Sequence, residues 1–315
     1  KGIAILDVSN SRLLFFDKQG KFLNIVDRKG QGPEEYPMMF TLFVDWDNNE
    51  IVVFCSQSQI VIYSLDGTFK RRVTFDSNVN PGDVNSWSDA QLVSYRKGVL
   101  DKDGQLEPYR PIIFYSREAG KMEDSLSYRK EHEFPVIIRN GSMKMEIAYP
   151  SLDKLNGDVY VNDLSADTIY RLVSPTKALQ PVITRTPSVV DDGDGYFMDL
   201  YGITSQFYFF KFTARQPSFD AGNFRIIDEK SKNAIYDRKD GKVYHPKFSN
   251  KDYPSMENCE LRFSEEVDAC ATIQLEAFDL VEALEAGELS GELKTIAEGL
   301  KEDDNPVLMV VKFKE

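Results

Sequence analysis

Short apolar runs alternate with polar turns along the chain, and this pattern recurs with a fixed spacing. The stretch IAILDVSNSRLLFFDKQGKFLNIV begins at Ile3 and aligns with IVVFCSQSQIVIYSLDGTFKRRVTF, which begins at Ile51. The first apolar run recurs after 48 positions, and the turn glycine, Gly20 or Gly67, recurs after 47. Each unit contains two apolar runs, a tight turn with Asp and Gly, and an alternating strand.

A further strand precedes the second unit, because TLFVDWDNNE ends in a polar hairpin turn at 47–49. The full unit is therefore four antiparallel strands. Weaker copies follow: the third has an insertion between its middle strands, the fourth turns at Asn156 and Gly157, and the fifth joins GYFMDLYGITSQFYFFKF to NFRIIDEKSKNAIYD. Four strands repeated every ~40–50 residues are typical of β-propeller blades.

The repeat predicts an all-β fold, a six-bladed β-propeller of four-stranded antiparallel blades. We assign residues 1–315 to one propeller domain. Its blades are predicted at approximately 1–33, 41–75, 84–130, 146–186, 196–237 and 257–315.

A short helical insertion is predicted near the C-terminus, over residues 277–301. AFDLVEALEAGELSGELKTIAEGLKEDD places apolar residues at helical spacings and contains Gly287 and Gly291, so we expect two short helices. The strand NPVLMVVKFK follows. We expect the apolar helix face to pack on the propeller, although it would also suit a partner surface. Its residues are Phe278, Val281, Leu284, Leu289, Leu293 and Ile296.

The first predicted unit lacks its innermost strand, and the sixth lacks an outer strand. The chain opens directly in the strand KGIAILDV. A propeller ring commonly closes with strands from both ends of a chain. We therefore expect that a segment upstream of Lys1 supplies the two absent strands.

The charge of the chain disfavours two classes of partner. A net charge of −13 and a pI near 4.8 disfavour nucleic acid and an anionic membrane surface. No apolar run approaches the ~20 residues of a membrane-spanning helix. We expect a monomer with an unknown protein or glycan ligand.

Cysteine and histidine usage argues against two common kinds of site. The three cysteines, Cys55, Cys259 and Cys270, include no C-x-x-C pair, so we expect no structural disulfide, although a bridge between the last two stays open. The two histidines, His132 and His245, lie far apart. A histidine-based zinc site is therefore not expected.

The segment GQGPEEY, from Gly30 to Tyr36, begins like a phosphate-binding loop but lacks its chemistry. The third glycine of G-x-G-x-x-G is replaced by Glu35, and two glutamates would repel a pyrophosphate. Glycines and Pro33 suit a sharp change of direction instead. We interpret the segment as the crossing from the outer strand of one blade to the inner strand of the next.

These motifs resemble a six-bladed β-propeller family abundant in Bacteroidetes, similar more distantly to NHL-repeat propellers. The shared features are a G-x-G-P-x-E-Y signature after the first blade and a D-N-P-V-L strand near the C-terminus, here 304–308. The resemblance spans essentially the whole chain. It implies an exported protein, in the periplasm or at the cell surface, often a lipoprotein anchored through an N-terminal segment. It implies little about chemistry.

Candidate binding residues follow from propeller geometry. The loop after the second strand of each blade lies on the face that usually holds the ligand. The residues near those strand ends are Asp7, Cys55, Arg96, Asp163 and Lys211, and the crossing after the first blade adds Gln31, Glu34 and Tyr36. These side chains would form a polar channel-face pocket, or pair with one another or hold waters in the channel.

The acidic turn DDGDG suggests a weak calcium site at Asp191, Asp192 and Asp194. Its spacing departs from D-x-[DN]-x-[DN]-G, so an exposed acidic turn is the alternative. We expect no cofactor.

Catalytic motifs are sparse. No G-x-S-x-G elbow occurs, although carboxylate pairs for glycoside hydrolysis are compatible with so acidic a chain. We therefore expect a non-catalytic ligand- or protein-binding propeller of the bacterial cell envelope. The alternative is a channel-mouth enzyme, such as a metal-dependent lactonase, a lyase or a carbohydrate-active enzyme.

Overall fold

The fold is known from a computed structural model of the chain. The structure describes residues 2–7, 9–56, 58–76, 84–95, 112–127, 136–140, 143–147, 150–164, 166–189, 191, 195–214, 218–220, 225–227, 232–256, 261–263 and 270–313. The predicted positions Arg96, His132, Asp192, Asp194 and Cys259 lie outside the described residues.

The chain folds as the predicted six-bladed β-propeller, in which each blade is an antiparallel sheet. Blades 1 and 6 have three described strands and blades 2 to 5 have four. Blade 1 contains β1 (Ile3–Asp7), β2 (Arg12–Phe16) and β3 (Phe22–Val26). Blade 2 contains β4 (Thr41–Asp45), β5 (Glu50–Ser56), β6 (Gln59–Ser64) and β7 (Phe69–Thr74).

The third blade contains β8 (Val84–Ser86), β9 (Gln91–Tyr95), β10 (Ile112–Ser116) and β11 (Met122–Leu126). Two strands of a separate sheet come next, β12 (Val136–Asn140) and β13 (Met143–Ile147). Blade 4 contains β14 (Pro150–Leu155), β15 (Asp158–Asp163), β16 (Thr168–Val173) and β17 (Ala178–Thr184).

The fifth blade is interrupted by the other half of the separate sheet. Its own strands are β18 (Tyr196–Ile203), β19 (Phe207–Ala214), β22 (Lys232–Asp237) and β23 (Lys242–Tyr244). Between β19 and β22 lie β20 (Ser218–Asp220) and β21 (Arg225–Ile227). Blade 6 contains β24 (Arg262–Phe263), β25 (Cys270–Leu275) and β26 (Val307–Lys312).

The separate four-stranded sheet, in the order β13-β12-β20-β21, corrects two expectations. The strand expected from NFRII in the fifth blade pairs instead with β20. Residues 146 and 147, expected to open the fourth blade, pair with β12. The sheet forms because β12 pairs in parallel with β20, which joins an insertion before blade 4 to one within blade 5.

The core lies between successive blades rather than in one central layer. Leu13 and Phe15 of blade 1 pack against Ile51 and Val53 of blade 2, and similar clusters join the next blades. This follows from alternation, because each strand presents side chains to both faces of its sheet and each face meets a neighbouring blade.

The predicted helices are α1 (Ala277–Glu285) and α2 (Gly291–Ala297), and they lie between β25 and β26. Leu280, Leu289 and Leu293 are buried in a cluster with residues of blades 5 and 6. Leu289 and Leu293 thus pack on the propeller as expected, whereas the buried face of α1 is Ala277, Leu280 and Ala283 and not the predicted face that begins at Phe278. Phe278 and Ile296 stay 53% and 40% exposed.

Candidate functional site

Two asparagine side chains join blade 3 to blade 4 and blade 4 to blade 5. Asn85 Nδ2 on β8 donates to the Leu152 carbonyl of β14 at 2.6 Å. Asn162 Nδ2 on β15, the second strand of blade 4, donates to the Leu200 carbonyl of β18 at 3.1 Å, and the Leu200 N–H reaches Asn162 Oδ1 at 3.4 Å. These contacts fix the edge strands β14 and β18 to the preceding blade, because an edge strand has no sheet partner on that side.

Asn162 also brings two carboxylates together, and this polar cluster is the candidate site. Its Nδ2 donates to Asp153 Oδ2 at 2.8 Å and to Asp199 Oδ1 at 2.7 Å. Asp153 lies on β14 and Asp199 on β18, so the acids belong to adjacent blades. Asn162 is buried, whereas Asp153 and Asp199 are partly exposed. The cluster therefore has a rigid amide at its base and carboxylates that solvent can reach.

Lys211 completes the cluster from the neighbouring strand. Asp199 and Lys211 are directly opposite in the β18–β19 register. Burial raises the pKa of the Asp199 carboxyl above its ordinary value, although the hydrogen bond from Asn162 and the charge of Lys211 lower it. The cluster thus combines a carboxyl group that resists ionisation, a second carboxylate and an ammonium group.

Asp163, the predicted candidate next to Asn162, is buried at the end of β15. The Tyr95 hydroxyl at the end of β9 lies 3.5 Å from Asp163 Oδ2. Asp163 therefore lies against blade 3, whereas Lys211 lies opposite Asp199 within blade 5. The predicted partner Arg96 lies outside the described residues.

Asp7 and Cys55, also predicted from strand ends, have local partners. Asp7 accepts from Asn10 Nδ2 at 2.8 Å and from Arg12 Nε at 2.7 Å, and these bonds hold the pKa of its carboxyl below the ordinary value. Burial raises the pKa of the Cys55 thiol to about 11. Cys55 and Cys270 are free cysteines. Asp7 thus orders the β1–β2 turn, and Cys55 stays protonated at neutral pH.

The GQGPEEY segment connects β3 to β4 as predicted, and its tyrosine anchors it. The Tyr36 hydroxyl accepts from Arg28 N–H at 3.1 Å and donates to the Val26 carbonyl at 3.2 Å. Tyr36 is buried, whereas Gln31 and Glu34 are exposed. Tyr36 is thus held inside the blade 1–blade 2 core and does not line the Asn162 cluster.

Glu35 and Arg72 hold the rest of this segment in place. Glu35 Oε2 accepts from the Gly32 N–H at 2.8 Å. The Arg72 guanidinium, on the outer strand of blade 2, donates to the Glu35 carbonyl. Arg72 therefore ties the segment to blade 2, and the bond from Tyr36 to Val26 ties it to blade 1.

Among the described residues, no further ligands accompany the predicted calcium turn at 191–194. Asp191 is exposed, and its two partner aspartates lie outside the described residues. No group of three His, Cys, Asp or Glu side chains in the described ranges is arranged to hold a metal ion. His245 is exposed, with its Nδ1 at 3.2 Å from the Asn233 carbonyl oxygen.

Sequence reasoning missed Asp153, Asn162 and Asp199. A signal was present, because Asp199 is an acid within the otherwise apolar strand YFMDLYGI. A buried-strand acid marks a position that needs a partner. The partner comes from another blade, however, and strand spacing within one unit does not give the contact between units.

One protein family matches the chain almost from end to end. Residues 1–312 match the family described as "Domain of unknown function (DUF4934)". The chain belongs to this family. The match and the fold together confirm the six-bladed part of the sequence prediction, whereas the NHL-like label stays a prediction.

A solved structure from Bacteroides fragilis shares the fold at low sequence identity. The chain is similar to the crystal structure of a "Putative exported protein" from Bacteroides fragilis NCTC 9343, with 18% identity and a TM-score of 0.66 over 100% of this chain and 88% of that one. The Pan2 WD40 domain of Neurospora crassa gives 8% identity and a TM-score of 0.42, over 87% and 70% of the two chains. Hydrazine synthase of Kuenenia stuttgartiensis has 10% identity and a TM-score of 0.42, over 99% of this chain and 83% of that one.

The search of curated proteins finds no match. Among the described residues, no helix has the length and apolar character needed to cross a membrane.

Proposed function

We propose that this chain is a non-catalytic binding propeller of the bacterial cell envelope, with its ligand at the Asn162 cluster. The observation that carries the proposal is the pair of partly exposed carboxylates, Asp153 and Asp199, held on one buried amide between two blades. A few fixed polar groups that converge from separate elements are typical of ligand sites, where they orient the ligand.

The chemistry of the cluster favours a glycan over an anionic ligand. Carboxylate oxygens accept hydrogen bonds from sugar hydroxyls, and the Lys211 ammonium donates them. Hydroxyl groups of a sugar would donate to the two carboxylates that the Asn162 amide holds together. The net charge of −13 disfavours phosphorylated or sulfated ligands.

A panel of neutral, amino and sulfated oligosaccharides, screened by calorimetry, tests the proposal. We expect saturable binding of a neutral or amino sugar, and loss of that binding in Asp199→Asn. Asp47→Asn is the matched control, because Asp47 is an exposed aspartate in the β4–β5 turn, away from the cluster. If the ligand is a protein and not a glycan, no oligosaccharide of the panel would bind. The wild-type protein would instead bind a protein of the cell envelope, and Asp199→Asn would lose that binding.

A second candidate is a carbohydrate-active enzyme, the alternative that the raised pKa of Asp199 favours. A carboxyl group with a raised pKa beside a second carboxyl group matches the acid and partner acid of glycoside hydrolysis. Release of reducing ends from a bound oligosaccharide, abolished in Asp199→Asn while binding persists, would establish this activity. Binding without any product would leave the first proposal in place.

Binding by side chains alone, without a cofactor, is part of the proposal. Calcium and zinc titrations of the purified protein test it, and stoichiometric binding at 191–194 would contradict it.

We also propose export to the periplasm or cell surface, with a lipid anchor, and we expect the protein in envelope fractions. Support comes from the fold shared with the Bacteroides fragilis protein. Recovery with the cytoplasmic fraction would contradict this location.

A further inference from the structure

A cavity lies between helix α1 and the loop of residues 250–256, and none of its described lining residues belongs to the Asn162 cluster. Its volume is about 440 Å³. Leu280 and Ala283 of α1 line it together with Tyr253 and Met256 of the loop. Because Leu280 and Ala283 are buried, the deepest part of the cavity is apolar.

Four carboxylates surround this apolar floor. They belong to Glu276, Asp279, Glu282 and Glu288, which line the cavity and are exposed to solvent. Within the described part of the chain, none of the four forms an ion pair and no lining residue is basic. Burial raises the pKa of the Tyr253 hydroxyl, and the charges of the last three acids raise it further. The cavity therefore carries negative charge that the chain does not neutralise.

Hydrogen bonds hold the two walls of the cavity together. The Ser290 N–H donates to the Asp252 carbonyl at 2.8 Å, which fixes the loop beside the start of α2. Ser255 Oγ donates to Glu288 Oε2 at 2.5 Å across the same gap. The walls are thus positioned before a ligand arrives, which lowers the entropic cost of binding.

The chemistry of the lining favours a basic side chain over a metal ion. In the described ranges no three acidic, histidine or cysteine side chains converge closely enough to hold a metal. Lysine and arginine side chains join a charged head to an apolar stem. Such a side chain can place its stem on the apolar floor and its head among the carboxylates, where it donates charge-assisted hydrogen bonds.

An exposed phenylalanine extends this surface beyond the cavity. Phe278 is 53% exposed and lies four residues before Glu282 on α1, so the two side chains are neighbours on the helix surface. Exposed aromatic side chains are enriched at protein interfaces. A free amine in the cavity would leave Phe278 uncovered, whereas a polypeptide with an apolar residue beside its basic one can cover both.

We propose that the cavity between α1 and residues 250–256 binds a lysine or arginine side chain of a partner polypeptide. An apolar side chain next to that basic residue contacts Phe278. The site is separate from the Asn162 cluster, so it does not depend on the ligand proposed there.

The capped peptide Ala-Phe-Lys-Arg-Phe-Ala is a suitable probe, because it places two basic residues between two aromatic ones. We expect saturable binding by calorimetry that weakens as salt is raised. Glu282→Gln should weaken binding by about three- to tenfold. Glu285→Gln is the matched control, since Glu285 is an exposed acid of the same helix outside the cavity lining.

Phe278→Ala tests the polypeptide part of the proposal and should also weaken binding. Ile296→Ala is its control, because Ile296 is an exposed apolar residue on α2 that does not line the cavity. Urea unfolding of all four variants establishes that each one is folded.

A second peptide, with two glutamines in place of lysine and arginine, isolates the contribution of charge. We expect it to bind at least about tenfold more weakly. Equal binding of the two peptides, no saturable binding of the basic peptide, or equal losses in Glu282→Gln and Glu285→Gln would overturn the proposal. Spermidine that binds more tightly than the basic peptide, with no effect of Phe278→Ala, would assign the cavity to a small polyamine and overturn the polypeptide partner.

Discussion

Arg117 of blade 3 forms a buried ion pair with Asp45 of blade 2, with 2.7 Å between Arg117 Nη2 and Asp45 Oδ2. The same guanidinium reaches Glu50 Oε2 at 3.0 Å. All three side chains are almost fully buried. The contact joins the ends of two neighbouring blades, whereas the Asn162 cluster joins blades 4 and 5.

We expect Arg117→Met to destabilise the protein by roughly 3–5 kcal/mol, because it leaves Asp45 and Glu50 buried without their shared cation. Urea unfolding measures the change. Arg12→Met is the matched control, since the Arg12–Asp7 pair is partly exposed and should cost less than about 1 kcal/mol. Equal losses in the two variants would show that the interblade ion pair contributes no more to the free energy of unfolding than the partly exposed pair.

The same network predicts a loss of stability in acid. Burial would raise the pKa of Asp45, but its hydrogen bond to Ser86 and the charge of Arg117 outweigh burial and hold that pKa below the ordinary value. For Glu50, burial is likewise outweighed by Arg71, Lys70 and Arg117.

Carboxyl groups with depressed folded-state pKa values stabilise the fold above their unfolded pKa values, and this stability is lost as pH falls through the folded values. The wild-type advantage over Arg117→Met should therefore be constant above about pH 5 and shrink below about pH 4. Unfolding free energies measured across that range check the expectation. An advantage that grows in acid would contradict it.

Tyr36→Phe should destabilise the protein by about 1–3 kcal/mol, because it removes the hydroxyl that bonds the partly buried Arg28 N–H and the buried Val26 carbonyl. Thermal and urea unfolding measure the effect. Tyr244→Phe is the control, since its hydroxyl bonds Asp240 at an exposed turn. A neutral Tyr36→Phe would mean that the GQGPEEY segment is held mainly by Glu35 and Arg72.

Gly120→Ala should be strongly destabilising, by more than about 2 kcal/mol. Gly120 has φ +68°, and an added Cβ would lie 2.2 Å from the Thr74 carbonyl oxygen, which is backbone and cannot rotate away. Gly287→Ala isolates the cost of backbone conformation, because Gly287 has φ +74° and open space around it. That control should lose only about 1–2 kcal/mol. Similar losses in both would remove the argument for a close approach between blades 2 and 3.

The fold was predictable because the repeat is local. Ile3 to Val26 and Ile51 to Thr74 repeat both the alternation and the turn glycine, so one unit specifies the next. The additional sheet was not predictable, since its halves lie in insertions outside the repeat, and a parallel contact between Arg139 and Ser218 decides their pairing.

The candidate site was predictable only in part. Lys211 was named from its place on the second strand of blade 5, where it lies opposite Asp199. Asn162, Asp153 and Asp199 become a cluster only when blades 4 and 5 meet, and the approach of two blades is a property of ring packing. Tyr36 shows the converse, because a residue predicted to face the channel is buried between blades 1 and 2 and bonds backbone groups of Arg28 and Val26.

Calorimetric screening of the oligosaccharide panel against wild type, Asp199→Asn and Asp47→Asn tests the central claim most directly. The account predicts one saturable neutral or amino-sugar ligand for wild type and Asp47→Asn, with binding lost in Asp199→Asn although the variant stays folded. A ligand that binds Asp199→Asn as tightly as wild type would contradict the placement of the site at the Asn162 cluster.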